Sequence, residues 1–204
     1  MTTPAGDGGG ESPFDVLLPY AEALAALPCP WAIASGWAVD LFLGRVTRDH
    51  FDVDVAVYRH DQAEVHAALR AAGWSLEKVV EGRLERWGGE RLVLPVHEVH
   101  ARRPDGEPLH LELLLSEGDA ESWRYRRAPE ISRPRARAEL VSSDGIPFLS
   151  PEVVLLFKSA RRRPRDELDF AACLPSLAPE PRTWLREALA SLDSAHPWLP
   201  HLLP

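Results

Sequence analysis

The sequence predicts an α/β (α+β) protein, with a mixed sheet flanked by helices and a mainly helical C-terminal part. Three observations carry that reading. Strand-like and helix-like segments interleave from residue 13 onward. The segment Phe51–Tyr58 alternates, with Phe51, Val53, Val55 and Val57 on one face and Asp52 and Asp54 on the other. Beyond residue 116 the clear signals are helical, as in the cap, proline and acidic first turn of Ser150-Pro151-Glu152. The expected division is a disordered N-terminus at 1–12, a core at 13–116 and a helical region at 117–204 packed on that core.

Each element has its own local signal. Ser12-Pro13 caps a helix expected through Leu17–Leu27, bent at Pro19 and stopped by Pro28-Cys29-Pro30. Trp31–Ala34 is a short apolar strand, and Ser35-Gly36 turns the chain into a helix over Trp37–Leu43. Gly44 is placed to end that helix. After the alternating strand, Asp61-Gln62-Ala63-Glu64 reads as a capping box for a helix to Ala72, with Gly73 as its stop. Trp74–Val80 reads as a strand, and Arg91–Ala101 and Leu109–Leu115 as a hairpin around Pro104-Asp105-Gly106. Residues 117–149 are arginine-rich and interrupted by prolines, so irregular structure is expected. A helix carrying Val153, Val154, Leu156, Phe157 and Lys158 follows, broken at Pro164. Asp166–Leu174 and Pro181–Leu192 are the last helices, before a proline-studded tail at His196–Pro204.

Composition narrows the functions. With 45% apolar and 26% charged residues the chain is globular rather than disordered. A net charge of -8 argues against a long nucleic-acid partner and suits a cationic small molecule. No apolar run is long enough for a membrane span, and Met1–Gly10 lacks the basic and apolar regions of a signal peptide. Cys29 and Cys173 form no CxxC pair or disulfide framework, so the expected compartment is a reducing cytoplasm. His97 and His100 fall on opposite strand faces, and no Cys/His spacing reads as zinc.

The strongest local signal is Asp52-Val53-Asp54. Aspartates at i and i+2 on a strand point the same way, with roots roughly 6–7 Å apart. Two bare carboxylates so close repel one another, and a divalent cation turns that repulsion into chelation. Hard oxygen ligands suit magnesium, and paired magnesium ions serve phosphoryl and nucleotidyl transfer. An isolated DxD is more often just the acidic outer face of a strand. The upstream order changes that balance: a strand, a Ser35-Gly36 turn, then a helix N-terminus able to take phosphate.

From Ser35 to Asp54 the sequence resembles the nucleotidyltransferase superfamily typified by DNA polymerase beta. More narrowly, it is similar to the small aminoglycoside nucleotidyltransferases that adenylylate a 2''-hydroxyl. Those read Gly-Gly-Trp-Ala, then Gly-Arg, Thr-Arg and His-x-Asp-x-Asp. This chain has Ser35-Gly36-Trp37-Ala38, Gly44-Arg45, Thr47-Arg48 and His50-Phe51-Asp52-Val53-Asp54. The likeness continues more loosely to residue 175 and departs at Ser35, where the family usually has glycine. It implies the minimal nucleotidyltransferase fold, Mg2+ as cofactor, and ATP or another nucleoside triphosphate as co-substrate. It further implies that Asp52 and Asp54 ligate the metal, and that Ser35 and Gly36 cradle the triphosphate. Arg48 either touches phosphate or fixes the loop.

Superfamily enzymes use a third acid on a neighbouring strand as metal ligand or base. Glu112, set among Leu111, Leu113, Leu114 and Leu115, is the candidate, and Glu98 on the partner strand is its rival. Lys158, one of two lysines in the chain, either snorkels from an amphipathic helix or reaches the β- or γ-phosphate; the resemblance favours phosphate. Asp166 and Asp169 are expected to pair with Lys158 or nearby arginines. Trp123, Tyr125, Arg126 and Arg127 either line the nucleotide pocket or pack the core against the helical part.

The expected activity is magnesium-dependent transfer of a nucleoside monophosphate, AMP from ATP, to a hydroxyl of a small acceptor such as an aminoglycoside. Two other classes share the fold: toxin-like enzymes modifying tRNA or protein, for which the arginine clusters at 124–137 and 161–165 would serve, and non-catalytic nucleotide binders.

Overall fold

The structure, a computed structural model, describes residues 12–103 and 109–203. The expected disordered stretch up to residue 11 and the turn at Pro104-Asp105-Gly106 lie outside the described residues. A single 3-10 turn, Asp15–Leu17, leads into α1 (Leu18–Leu24). Pro19 sits in the first turn of α1 and therefore does not bend a longer helix. There its missing N–H has no helical partner to lose. The core elements follow as β1 (Trp31–Ile33), α2 (Ser35–Leu43), β2 (Val53–Tyr58), α3 (Gln62–Ala71), β3 (Ser75–Val80) and β4 (Arg83–Arg86). Next come β5 (Glu98–Arg103) and β6 (Leu109–Gly118).

Residues 117–149, expected to be irregular, form short strands β7 (Ser122–Arg124), β8 (Ser132–Pro134), β9 (Glu139–Val141) and β10 (Pro147–Leu149), with α4 (Arg135–Ala138) between them. Helices α5 (Pro151–Ser159), α6 (Pro164–Cys173) and α7 (Pro179–Leu192) complete the chain. Pro164 both ends the space for α5 and starts α6 at its first turn.

The strands join in the order β4-β3-β5-β6-β2-β1-β10-β9, with β7 and β8 branching from β6. The β2–β6 and β1–β10 pairs are parallel and the others antiparallel, which gives the expected mixed sheet. Val55, Leu111 and Leu113 of the central strands are fully buried, as are Val153, Leu155 and Leu156 of α5. Burying one such side chain contributes about 1.5–3 kcal/mol to the fold. Helix α5 also packs against α2, α6 and α7.

Two local expectations fail for physical reasons. Phe51, expected on the same strand face as Val53, Val55 and Val57, is 96% exposed whereas those three are buried. The ladder begins only at Val53, so Phe51 and Asp52 belong to the incoming bend, where strand alternation does not apply. Asp61 makes no capping hydrogen bond. Instead the buried Gln62 accepts from Leu92 N at 2.6 Å and donates to Leu92 O at 3.3 Å, which ties α3 to the segment before β5. Among the described residues no helix is long and apolar enough to cross a membrane.

Candidate active site

Strand register brings the acids together. Asp54 on β2 pairs with Glu112 on β6, and Glu112 pairs with His100 on β5. Paired residues share a sheet face, so these three form a row, with Asp52 two residues before Asp54 and Glu98 two before His100. Asp52, Asp54, Glu98 and Glu112 all line one cavity of about 200 Å³. Both candidates for the third acid thus line the same cavity, and Glu112 is the one directly opposite Asp54.

Their protonation behaviour reflects that crowding. Burial, reinforced by the charge of Asp52, pushes the Asp54 carboxyl up to about 6, against the opposing influence of the Ser35 hydroxyl and Lys158. Burial together with Asp54 and Asp52 pushes Glu112 up to about 7. Oxygen donors that resist sharing negative charge are the donor set a hard divalent cation satisfies, so these residues fit magnesium.

The turn between β1 and α2 is built tightly above a polar layer. Ser35 adopts φ 54, the left-handed region where glycine is the natural occupant. Gly36 is required for packing as well as for any phosphate contact. A Cβ there would collide with the Arg48 guanidinium and lie 2.5 Å from the His50 ring.

That polar layer has its own order. Asp40 is fully buried on α2 and accepts from Thr47 N at 3.1 Å and Thr47 Oγ1 at 2.5 Å. Its other oxygen is 2.6 Å from His50 Nε2. His50 Nδ1 lies 3.1 Å from Arg48, which can only donate, so Nδ1 accepts and Nε2 carries the proton given to Asp40. Arg48 also reaches Asp169 on α6 at 3.3 Å. Asp169 in turn holds Lys158 at 2.7 Å, and Asp166 lies 3.5 Å from the same ammonium. The expected pairing of Asp166 and Asp169 with Lys158 and arginines is therefore present. Asp40 was not singled out in the sequence, although an acid inside the apolar run Trp37–Leu43 was a signal for a buried anchor.

A second cavity, of about 190 Å³, shares Ser35, Glu98 and Arg163 with the first. It is cationic: Arg126, Arg127, Lys158, Arg161 and Arg163 line it. Lys158 and Arg163 already pair with acids, but among the described residues Arg126, Arg127 and Arg161 have no carboxylate within ion-pair distance. Burial, then repulsion from Arg127, Arg59 and Arg161, lowers the proton affinity of Arg126. Uncompensated guanidinium groups converging on a cavity are a site for a polyanion. Trp123 and Tyr125 are buried against Phe157 and serve packing, whereas the two arginines that follow them face the cavity. Arg165 lines the acidic cavity, a position that its place in an arginine run gave no means of predicting.

An acidic compartment joined to a cationic one lies beside the Ser-Gly turn of the Ser35–Asp54 motif. The family described as aminoglycoside-2''-adenylyltransferase matches residues 16–172, starting earlier than the motif alone indicated. The chain belongs to that family. It is a nucleotidyltransferase, and its mixed sheet with flanking helices is the nucleotidyltransferase fold. The solution structure of the antibiotic-resistance factor ANT(2'')-Ia is similar at 20% identity and TM-score 0.59, over 91% of this chain and 96% of that one. The crystal structure of ANT(2'')-Ia with adenylyl-2''-tobramycin gives 18% identity and TM-score 0.57, over 85% and 94%. The lincosamide antibiotic adenylyltransferase LnuA, bound to lincomycin, gives 21% identity and TM-score 0.54, over 76% and 92%. No curated protein sequence matches the chain.

Proposed function

We propose that this chain transfers AMP from ATP to a hydroxyl of a small aminated acceptor of the aminoglycoside class, with Mg2+ held by Asp52, Asp54 and Glu112. One observation carries the reading: the Asp54–Glu112 pair, aligned across β2 and β6, lines a cavity that shares Ser35, Glu98 and Arg163 with the cavity of unpaired arginines. Family membership and the ANT(2'')-Ia and LnuA neighbours support the adenylyl donor and the antibiotic acceptor. Two free cysteines, Cys29 half-buried and Cys173 buried, support a cytoplasmic setting.

In this reading Arg126, Arg127 and Arg161 bind the triphosphate, with Lys158 and Ser35-Gly36 beside it. The acceptor oxygen bonds to the α-phosphorus while the bond to the bridging oxygen breaks and pyrophosphate leaves. Glu112, held near 7 in the ion-free chain, is suited to take the hydroxyl proton. Bound Mg2+ supplies neutralisation of the charge that gathers on the phosphate oxygens. The acids that remain around the cavity offer partners to the ammonium groups of an aminated sugar.

The arginine clusters do not favour an RNA substrate. Arg124, Arg133, Arg135, Arg137 and Arg162 are each paired with aspartate or glutamate. Calorimetric titration of Mg–ATP into the protein, with Asp54→Asn alongside, tests the nucleotide site. Binding lost in the variant supports the proposal, and mass spectrometry of acceptors incubated with ATP then looks for adenylylation. Equal binding by both proteins refutes the assigned role of Asp54.

A further inference from the structure

Beside the proposed magnesium site lies a cluster of a different chemical kind. His100, His110 and Glu112 each offer one donor atom within 4.8 Å of the other two. His110 and Glu112 share one face of β6, and His100 joins them because β5 and β6 pair, with His100 opposite Glu112 and His110 two residues before it. His110 Nε2 lies 3.3 Å from His100 Nδ1. His100 Nε2 is held by Glu98 Oε1 at 3.0 Å.

These distances say which nitrogen does what. A carboxylate can only accept, so the Glu98 contact fixes the His100 proton on Nε2 and leaves the Nδ1 lone pair facing His110. A carboxylate holding the far nitrogen of an imidazole is the support that metal-ligating histidines usually have. A tetrahedral zinc ion with Zn–N bonds of about 2.0–2.1 Å sets its ligand nitrogens about 3.3 Å apart. The observed separation equals that value and is longer than a typical N–H hydrogen bond of about 2.9–3.0 Å.

We infer that His100, His110 and Glu112 form a binding site for a borderline divalent ion of the zinc class, distinct from the magnesium centre but sharing Glu112 with it. Two imidazoles select against magnesium, which prefers an all-oxygen set. Zinc therefore takes Glu112 away from Asp54 and acts as an inhibitor of adenylyl transfer. The inhibitory consequence rests on the role proposed above for Glu112; the binding site itself does not.

Titration calorimetry with ZnCl2 alone, on the metal-free protein, tests the site. The wild type is expected to bind one ion, Asp54→Asn to stay within about threefold of it, and His110→Ala to weaken by more than tenfold. The Co2+ complex of the wild type should show the intense visible bands of a four-coordinate ion. Wild-type affinity in a folded His110→Ala, loss confined to Asp54→Asn, or the faint bands of a six-coordinate oxygen site would each overturn the inference. Where His110→Ala melts early, His110→Gln takes its place and the Co2+ spectrum decides. Histidine-dependent zinc binding in a protein that ignores Mg–ATP supports the metal site while refuting the nucleotide reading. Zinc inhibition that His110→Ala relieves, with Mg–ATP affinity unchanged, supports both.

Discussion

Asp40→Asn keeps the shape of a buried side chain and changes only its charge and one set of lone pairs. In the native layer one Asp40 oxygen accepts two bonds from Thr47, and the other accepts the His50 Nε2 proton at 2.6 Å. An asparagine can keep its carbonyl towards Thr47, which turns its NH2 onto His50 Nε2. The imidazole can escape that clash only by moving its proton to Nδ1, where the Arg48 guanidinium already donates at 3.1 Å. Flipping the amide transfers the same conflict to Thr47. Either way one buried hydrogen bond to a charged group is lost and a donor is left facing a donor, a cost of about 2–3 kcal/mol. For a chain of this length each kcal/mol lowers Tm by about 2–4 °C, so a fall of about 4–12 °C is expected. Loop 44–52 carries Asp52, so Mg–ATP affinity falls as well. Thermal melts and calorimetry on Asp40→Asn measure both. A Tm within about 1 °C of wild type, with unchanged affinity, would refute the proton assignment and the anchoring role together.

Four further outcomes follow from the same geometry. Because Asp54 and Glu112 titrate near 6 and 7 when folded, above their unfolded values, the native state binds the extra protons. Their contribution is therefore present below about pH 4 and is lost as pH rises through 6–7, with Asp54 alone accounting for roughly 2–3 kcal/mol. Melts in EDTA should show Asp54→Asn gaining on wild type from pH 5 to pH 8, and Mg2+ should remove the difference; an unchanged gap refutes the shift. Gly36→Ala places a methyl against Arg48 and His50 and is expected to cost about 1–3 kcal/mol, read by denaturant unfolding. Ser35→Gly relieves the positive φ and is expected to raise stability by up to about 1 kcal/mol in the same assay. Arg126→Ala should weaken Mg–ATP binding by about tenfold or more with Tm unchanged or slightly higher, since it removes a repelled cation as well as a phosphate ligand.

What the sequence could and could not reveal follows from the range of each interaction. The placement of Asp54 is legible because strand periodicity is local, and Glu112 because an acid among leucines is conspicuous. The same periodicity misplaced Phe51, because alternation says nothing about where pairing begins. Strands β7 to β10 have three residues each, too few for any period to show. The Arg48–Asp169 contact spans 121 positions and the His100–His110 contact depends on β5–β6 register, so neither has a local signature. Arg161 was hidden differently: in a chain where nearly every cation is arginine, composition cannot separate a paired guanidinium from an unpaired one. The three-dimensional list of ion pairs makes that separation.

That separation also explains why the cleft needs both kinds of cation. Lys158 is buried, and with Asp169 at 2.7 Å and Asp166 at 3.5 Å its charge is locally balanced. Removing it would take from the buried Asp169 its shortest ion pair and leave only the longer Arg48 contact at 3.3 Å, so Lys158 is tied to folding whatever else it touches. Arg48 is bound to the same Asp169, which makes that aspartate the joint between the loop after α2, α5 and α6. Cations fixed in this way hold the walls of the cleft at a set distance from Asp54, but they leave little net attraction for an incoming triphosphate. Arg126, Arg127 and Arg161 are in the opposite position: they repel one another until an anion arrives. A ligand of high negative charge is the natural relief for that repulsion, and in the proposed function the same ligand would carry into the cleft the divalent ion that relieves the crowding of Asp52, Asp54 and Glu112. The two compartments are each unfavourable alone, and one metal–nucleotide complex satisfies both.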